Sequence, residues 1–203
     1  FQGNVGSDDN AYFTCSRVIS EGRFPSAGSP IFYSRLGILL PTAVSFKIFG
    51  YSLYSGILYP LACSMGLMIV AYVLGSSVYN EKTGLYSAFL ISLLPLDIHY
   101  STLLYQELQA AFYTWLAVAL LVKAHRSRHT GTLAFTSGLL LGWGYLCKES
   151  SMLVTVVIVS LTLILVYRRR VSKKLLLVIP GILLVLSGEA LFYWIVKGDP
   201  LYR

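Results

Sequence analysis

Two adjacent carboxylates, Asp8 and Asp9, open the first helical pattern of the chain within Gly6-Ser7-Asp8-Asp9-Asn10-Ala11-Tyr12. An acidic pair in a first turn satisfies free backbone N–H groups and opposes the helix dipole. The same pair at a membrane surface can serve as a general base that takes the proton of an acceptor hydroxyl. The two readings are compatible, because neighbouring carboxylates can divide capping and catalysis between them. Arg35, in Tyr33-Ser34-Arg35-Leu36-Gly37, reads either as an arginine snorkelling to lipid headgroups or as a phosphate clamp, since a guanidinium offers a planar fork of donors. Lys148-Glu149, in Tyr145-Leu146-Cys147-Lys148-Glu149-Ser150, reads either as a self-neutralising turn pair or as a site whose lysine binds an anionic lipid phosphate, charge at such depth being rare. Glu107, in Leu104-Tyr105-Gln106-Glu107-Leu108-Gln109, faces the interior of a helix bundle, with a structural helix–helix hydrogen bond as the plain alternative. Asp97 and His99 with Glu107 make a weak metal set, one histidine and two acids on a bend. A divalent metal is thus admitted but not required. Cys15, Cys63 and Cys147 are odd in number and scattered, which gives neither a disulfide framework nor metal spacing.

The elements that must position these groups follow from composition. Of the 203 residues 56% are hydrophobic and only 12% charged, against about 25% charged in soluble domains. With a mean hydropathy of +0.67, the chain is neither a soluble globule nor disordered, and the expected class is an all-α polytopic membrane protein. Six apolar stretches approach the roughly 17–25 residues that cross a bilayer: 53–79, 84–100, 103–122, 131–147, 152–167 and 175–196. The linkers on one side hold Lys82; Lys123, Arg126 and Arg128; and Arg168, Arg169, Arg170, Lys173 and Lys174, whereas the hairpins on the other side hold only Lys148. Lysine and arginine mark the cytoplasmic face, so both ends of the chain are expected outside the cytoplasm. The net charge of +7 then reflects topology and contact with anionic lipid rather than nucleic acid.

Acidic residues run the other way. Only Glu81 lies in a basic linker, while Asp8, Asp9, Glu21, Asp97, Glu107, Glu149, Glu189 and Asp199 fall in outer segments or outer halves of spans. Because buried carboxylates cost several kcal/mol without a cavity or partner, this asymmetry predicts a polar chamber on the outer side. Residues 1–52 read as an outer loop: a helix capped by Ser7 or Asp8 and stopped at Gly22, a loop through Pro25 and Pro30, and an interfacial helix over 31–49 that Arg35, Pro41 and Lys47 make a poor span. Residues 53–196 form the bundle and 197–203 begin a following outer segment. Gly138-Leu139-Leu140-Leu141-Gly142 is a GxxxG packing pattern, and Glu189 has no assigned role. The opening residues lack a basic n-region and apolar core, and the abrupt start reads as a piece of a longer chain.

Taken in order, these features resemble the protein O-mannosyltransferase and aminoarabinose-transferase group of polytopic glycosyltransferases, family 39 of the type C fold. The resemblance rests on the acidic pair before Ala11-Tyr12, on Glu21-Gly22, and on Arg35-Leu36-Gly37 leading to Phe46-Lys47-Ile48-Phe49-Gly50. It continues through Leu94-Pro95, Glu107, Gly142-Trp143-Gly144-Tyr145-Leu146-Cys147-Lys148-Glu149 and Gly198-Asp199-Pro200-Leu201-Tyr202. It implies transfer of a sugar from a polyprenyl-phosphate donor to an acceptor hydroxyl of a protein, glycolipid or glycan, with inversion, on the non-cytoplasmic face of a membrane such as the bacterial inner membrane. By the same resemblance Asp8 is the base, Arg35 and Lys148 are the phosphate contacts, and Asp9, Glu107 and Glu149 complete the substrate site. Asp9 stands where the family more often has glutamate, and Glu107 where it often has aspartate. The competing class is a non-enzymatic transporter, flippase or scaffold; a transporter predicts repeats with interrupted spans in matching positions, and none is visible.

Overall fold

A computed structural model describes residues 7–25 and 30–200, and every regular element among them is helical. In chain order they are α1 (Ser7–Ser20), α2 (Pro30–Tyr33), α3 (Leu36–Phe49), α4 (Leu53–Val78), α5 (Glu81–Ser92), α6 (Pro95–Ser101), α7 (Gln106–His125), α8 (Thr130–Cys147), α9 (Ser151–Tyr167), a 3₁₀ turn (Lys173–Leu177) and α10 (Val178–Lys197). The segments Leu53–Val78, Gln106–His125 and Lys173–Lys197 are long and apolar enough to cross a membrane, and Leu36–Phe49 and Ser151–Tyr167 are shorter apolar helices. The all-α membrane class therefore holds. At about 1.5 Å per residue the 20 residues of α7 reach roughly 30 Å, the thickness of a hydrocarbon core.

Local chemistry explains most of the boundaries. Gly22 stops α1 with φ +79°, while the Gly22 and Arg23 amides donate back to the carbonyls of Ile19 and Val18, a closure that glycine makes without steric cost. Ser52 and Ser55 form a reciprocal capping box on α4, and the Asn80 side chain caps α5 by accepting from the Thr83 amide.

Two expected helices are each broken in two. The stretch expected over 84–100 separates into α5 and α6 at Leu93-Leu94, because Pro95 holds Leu94 extended (φ −70°, ψ 116°) and starts a new helix as its first residue. The stretch expected over 31–49 separates into α2 and α3 at Ser34-Arg35. That break presents the Ser34 carbonyl, which accepts at 3.0 Å from the Tyr193 hydroxyl of α10, and thereby ties the outer segment to the last helix.

The helices pack as a bundle, with α7 against α8, α4 against α5 and α7, and α10 against α8. The GxxxG pattern performs the packing expected of it. A β-carbon at Gly138 would collide with the Val178 carbonyl, and Gly181 meets the Cα of Gly138 across the same crossing. At one end of the bundle, Gly37 of α3 lies so close to the last turn of α8 that a β-carbon would sit 2.7 Å from the Cys147 amide nitrogen. This contact brings Arg35 into the neighbourhood of Lys148. At the other end, Arg126 donates to the Ser77 carbonyl at 2.8 Å, closing the C-terminus of α4. Large apolar side chains such as Ile69, Leu90, Val157 and Leu184 remain exposed around the bundle, as a lipid-facing surface requires.

Candidate active site

All six candidate residues fall at the end of the bundle where α1, α3, α7 and α9 begin and α8 ends. Asp8 and Asp9 occupy the first turn of α1, but their surroundings differ. Asp9 is 1% exposed, and its Oδ1 accepts from the Leu104 amide at 2.9 Å. It thus pins α1 to the linker between α6 and α7. Asp8 is half-buried. One helical turn further, on the same face by the i+3 and i+4 rule, stands Tyr12, which is fully buried.

The Tyr12 hydroxyl is the hub of the cluster. It accepts a hydrogen bond from Nη1 of Arg35 and donates to Oε1 of Gln106 at 2.8 Å. A guanidinium has only donors, so the phenol must accept from it and has a single proton left for Gln106. That direction fixes the amide of Gln106 and leaves its Nε2 as the remaining donor. Burial pushes the Tyr12 hydroxyl up to about 12, with the nearby Arg35 charge opposing and the charges of Asp8 and Glu107 adding to the rise. Tyr12 is thus a neutral positioning group. Tyr105, in the α6–α7 linker, is raised by desolvation and then by the charges of Asp8, Asp9 and Glu107.

Arg35 is the N-cap of α3. At 9% exposure it is buried, so it does not snorkel into headgroups. Its Nη2 lies 3.9 Å from Glu149 Oε2, beyond hydrogen-bond distance, and its Nε has no partner among the described residues. Lys148 Nζ donates to Glu107 Oε1 at 3.0 Å. Both members of the Lys148-Glu149 turn also face other helices, Lys148 on Glu107 of α7 and Glu149 near Arg35 at the start of α3. Among the described residues Glu107 Oε2 and both amide atoms of Gln109 are buried without partners, a concentration of unmet hydrogen-bonding capacity that native interiors seldom tolerate.

The suspected metal set does not assemble. Asp97 is buried and accepts from the Ser64 hydroxyl, His99 packs its ring on Tyr100, and Glu107 is engaged by Lys148. Among the described residues no group of three or more His, Cys, Asp or Glu side chains is placed to hold a metal. Glu189 is buried in α10. Two contributors were not singled out from the sequence, Tyr12 and Gln106, and the only available signal was their spacing from Asp8 and Glu107.

Beside the cluster, between α7 and α9, runs an apolar groove of about 380 Å³, lined by Ala110, Thr114, Trp115, Val154 and Ile158, with Lys148 and Ser150 also on its wall. A cation beside an apolar trench suits an amphiphile with an anionic head. The family model described as dolichyl-phosphate-mannose-protein mannosyltransferase matches residues 38–194. Glu107, Lys148 and Glu149 lie inside that match, and Asp8, Asp9 and Arg35 precede it. No curated protein and no solved structure matches the chain.

Proposed function

The chain belongs to the dolichyl-phosphate-mannose-protein mannosyltransferase family, a membrane glycosyltransferase family, and from that premise we propose that the cluster around Tyr12 transfers a sugar from a polyprenyl-phosphate donor to an acceptor hydroxyl. The observation that carries the reading is the buried link from Tyr12 of α1 to Arg35 and Gln106, with Asp9 bonded to the Leu104 amide and Lys148 to Glu107, the neighbour of Gln106.

In this account the donor's isoprenoid tail lies in the α7–α9 groove and its phosphate sits between Lys148 and Arg35. Glu149, exposed and 3.9 Å from Arg35, is the counter-ion that the phosphate replaces. The acceptor oxygen attacks the anomeric carbon from the face opposite the phosphate, and a new C–O bond forms as the bond from that carbon to the phosphate oxygen breaks. Asp8 takes the acceptor's proton, and the phosphate leaves with the bonding electron pair, its growing charge stabilised by Arg35 and Lys148. The configuration inverts. Asp9 is held in place by Leu104, which leaves the base role to Asp8. In this reading the cluster end faces the non-cytoplasmic side, which the basic linkers at the other end of the bundle favour.

Donor binding tests the reading. In the full-length protein, Arg35→Ala and Lys148→Ala are each expected to weaken binding of a polyprenyl phosphate about 10- to 100-fold, the range for a charge-assisted hydrogen bond. Unchanged donor affinity in both variants, measured by direct titration, would remove the phosphate clamp.

A further inference from the structure

At the opposite end of the bundle from the cluster lies a second groove with mixed chemistry. It has a volume of about 510 Å³ and is lined by Leu121, His125 and Arg126 at the end of α7, by Leu165 near the end of α9, and by Arg170 and Val171 just beyond it. Its floor is apolar and its rim carries two guanidinium groups. Among the described residues the ion pairs of the protein involve Arg17, Arg23, Arg35 and Lys148, so no carboxylate neutralises Arg126 or Arg170. Arg126 has one Nη engaged by the Ser77 carbonyl, which fixes the guanidinium and leaves its other donors for a ligand.

Backbone geometry supplies an independent observation. Arg169 adopts φ +54°, the only positive φ at a non-glycine position among the described residues. The Arg169 amide donates to the Val166 carbonyl and the Arg170 amide to the Leu165 carbonyl, both at 3.0 Å. This is the left-handed closure of a helix end that glycine usually makes, here held by an arginine against its conformational preference. The closure folds the chain back and sets Arg170 on the groove. Strain kept at a cationic turn where a glycine would remove it points to a site. A basic linker that served topology alone would need its charges only somewhere in the loop.

We propose that this groove binds one anionic phospholipid, its phosphate held by Arg126 and Arg170 and the start of one acyl chain laid along Leu121, Leu165 and Val171. Charge complementarity selects an anionic head, and the apolar floor selects a lipid over a free phosphate ester. The site is separate from the Tyr12 cluster and does not depend on the transferase reading.

The test uses delipidated full-length protein and native mass spectrometry with phosphatidylglycerol and phosphatidylcholine as probes. The expected result is one phosphatidylglycerol retained at least 10-fold more tightly than phosphatidylcholine. Arg170→Ala abolishes that preference, whereas Arg168→Ala, which removes the same charge from outside the groove, preserves it. Leu165→Trp, which fills the floor without changing charge, displaces the lipid. Equal losses from Arg170→Ala and Arg168→Ala, retention by Leu165→Trp, or displacement of the lipid by glycerol phosphate at equal concentration would each overturn the proposal.

Discussion

The Tyr12 phenol illustrates how a neutral side chain can organise charged ones. Its oxygen accepts from Arg35 and its proton goes to Gln106, so loss of the hydroxyl frees both neighbours while a phenylalanine ring keeps the packing against Phe32. Tyr12→Phe is expected to weaken polyprenyl-phosphate binding about 10-fold, the scale of one charge-assisted hydrogen bond. Because it acts through Arg35, the same change in an Arg35→Ala background should add nothing. Additive losses in that double-mutant cycle would show that Tyr12 does not work through the guanidinium. The raised hydroxyl also sets an alkaline limit. The folded value of about 12 lies above the ordinary 10.0, so the neutral phenol's contribution is complete below pH 10 and is lost as pH climbs from 10 towards 12. Unfolding of the wild type followed over that interval should show a steeper loss of stability than Tyr12→Phe. The charged members of the cluster were legible in the sequence because each is out of place in an apolar chain. Tyr12 was not, since it is one of 15 tyrosines and only its helical spacing from the acids distinguishes it.

Among the elements, the breaks matter as much as the helices. A continuous helix over 31–49 would have no free carbonyl at Ser34 for Tyr193, and Arg35 would lie on a helix face instead of at the N-cap of α3. The Pro95 break was readable from the proline, but the Ser34-Arg35 break follows from tertiary anchoring by α10, which no local signal in the sequence announces. The Lys148–Glu107 pair likewise depends on the register of α8 against α7, across 41 positions of sequence. A second register, that of α8 against α10, is held by small residues. Gly138→Val should place side-chain atoms against the Val178 carbonyl and destabilise the bundle by about 1–3 kcal/mol, the usual cost of overpacking. Gly188→Ala, where a β-carbon meets nothing within 4 Å, is the matched control. Thermal unfolding in detergent should separate the two, and equal midpoints would mean that the α8–α10 crossing is not tight.

Over the whole molecule, the two ends of the bundle carry different chemistry. One end gathers Asp8, Asp9, Arg35, Glu107, Lys148 and Glu149, and the other collects the arginines of the linkers after α7 and α9. This polarity was visible in the sequence as a charge asymmetry between alternate linkers, and it required only the alternation of apolar spans to be read. The depth and partners of each group were not visible, because they arise where α1, the α2–α3 break, α7 and α8 converge. The account stands on that convergence being a catalytic centre with divided tasks, binding by the cations and proton removal by Asp8. The most direct measurement is transfer from a polyprenyl-phosphate-linked sugar by the full-length protein carrying Asp8→Asn, with donor affinity measured on the same preparation. The account predicts turnover reduced by about 10²- to 10⁴-fold, the range for loss of a general base, with donor affinity retained. Turnover equal to the wild type would contradict it.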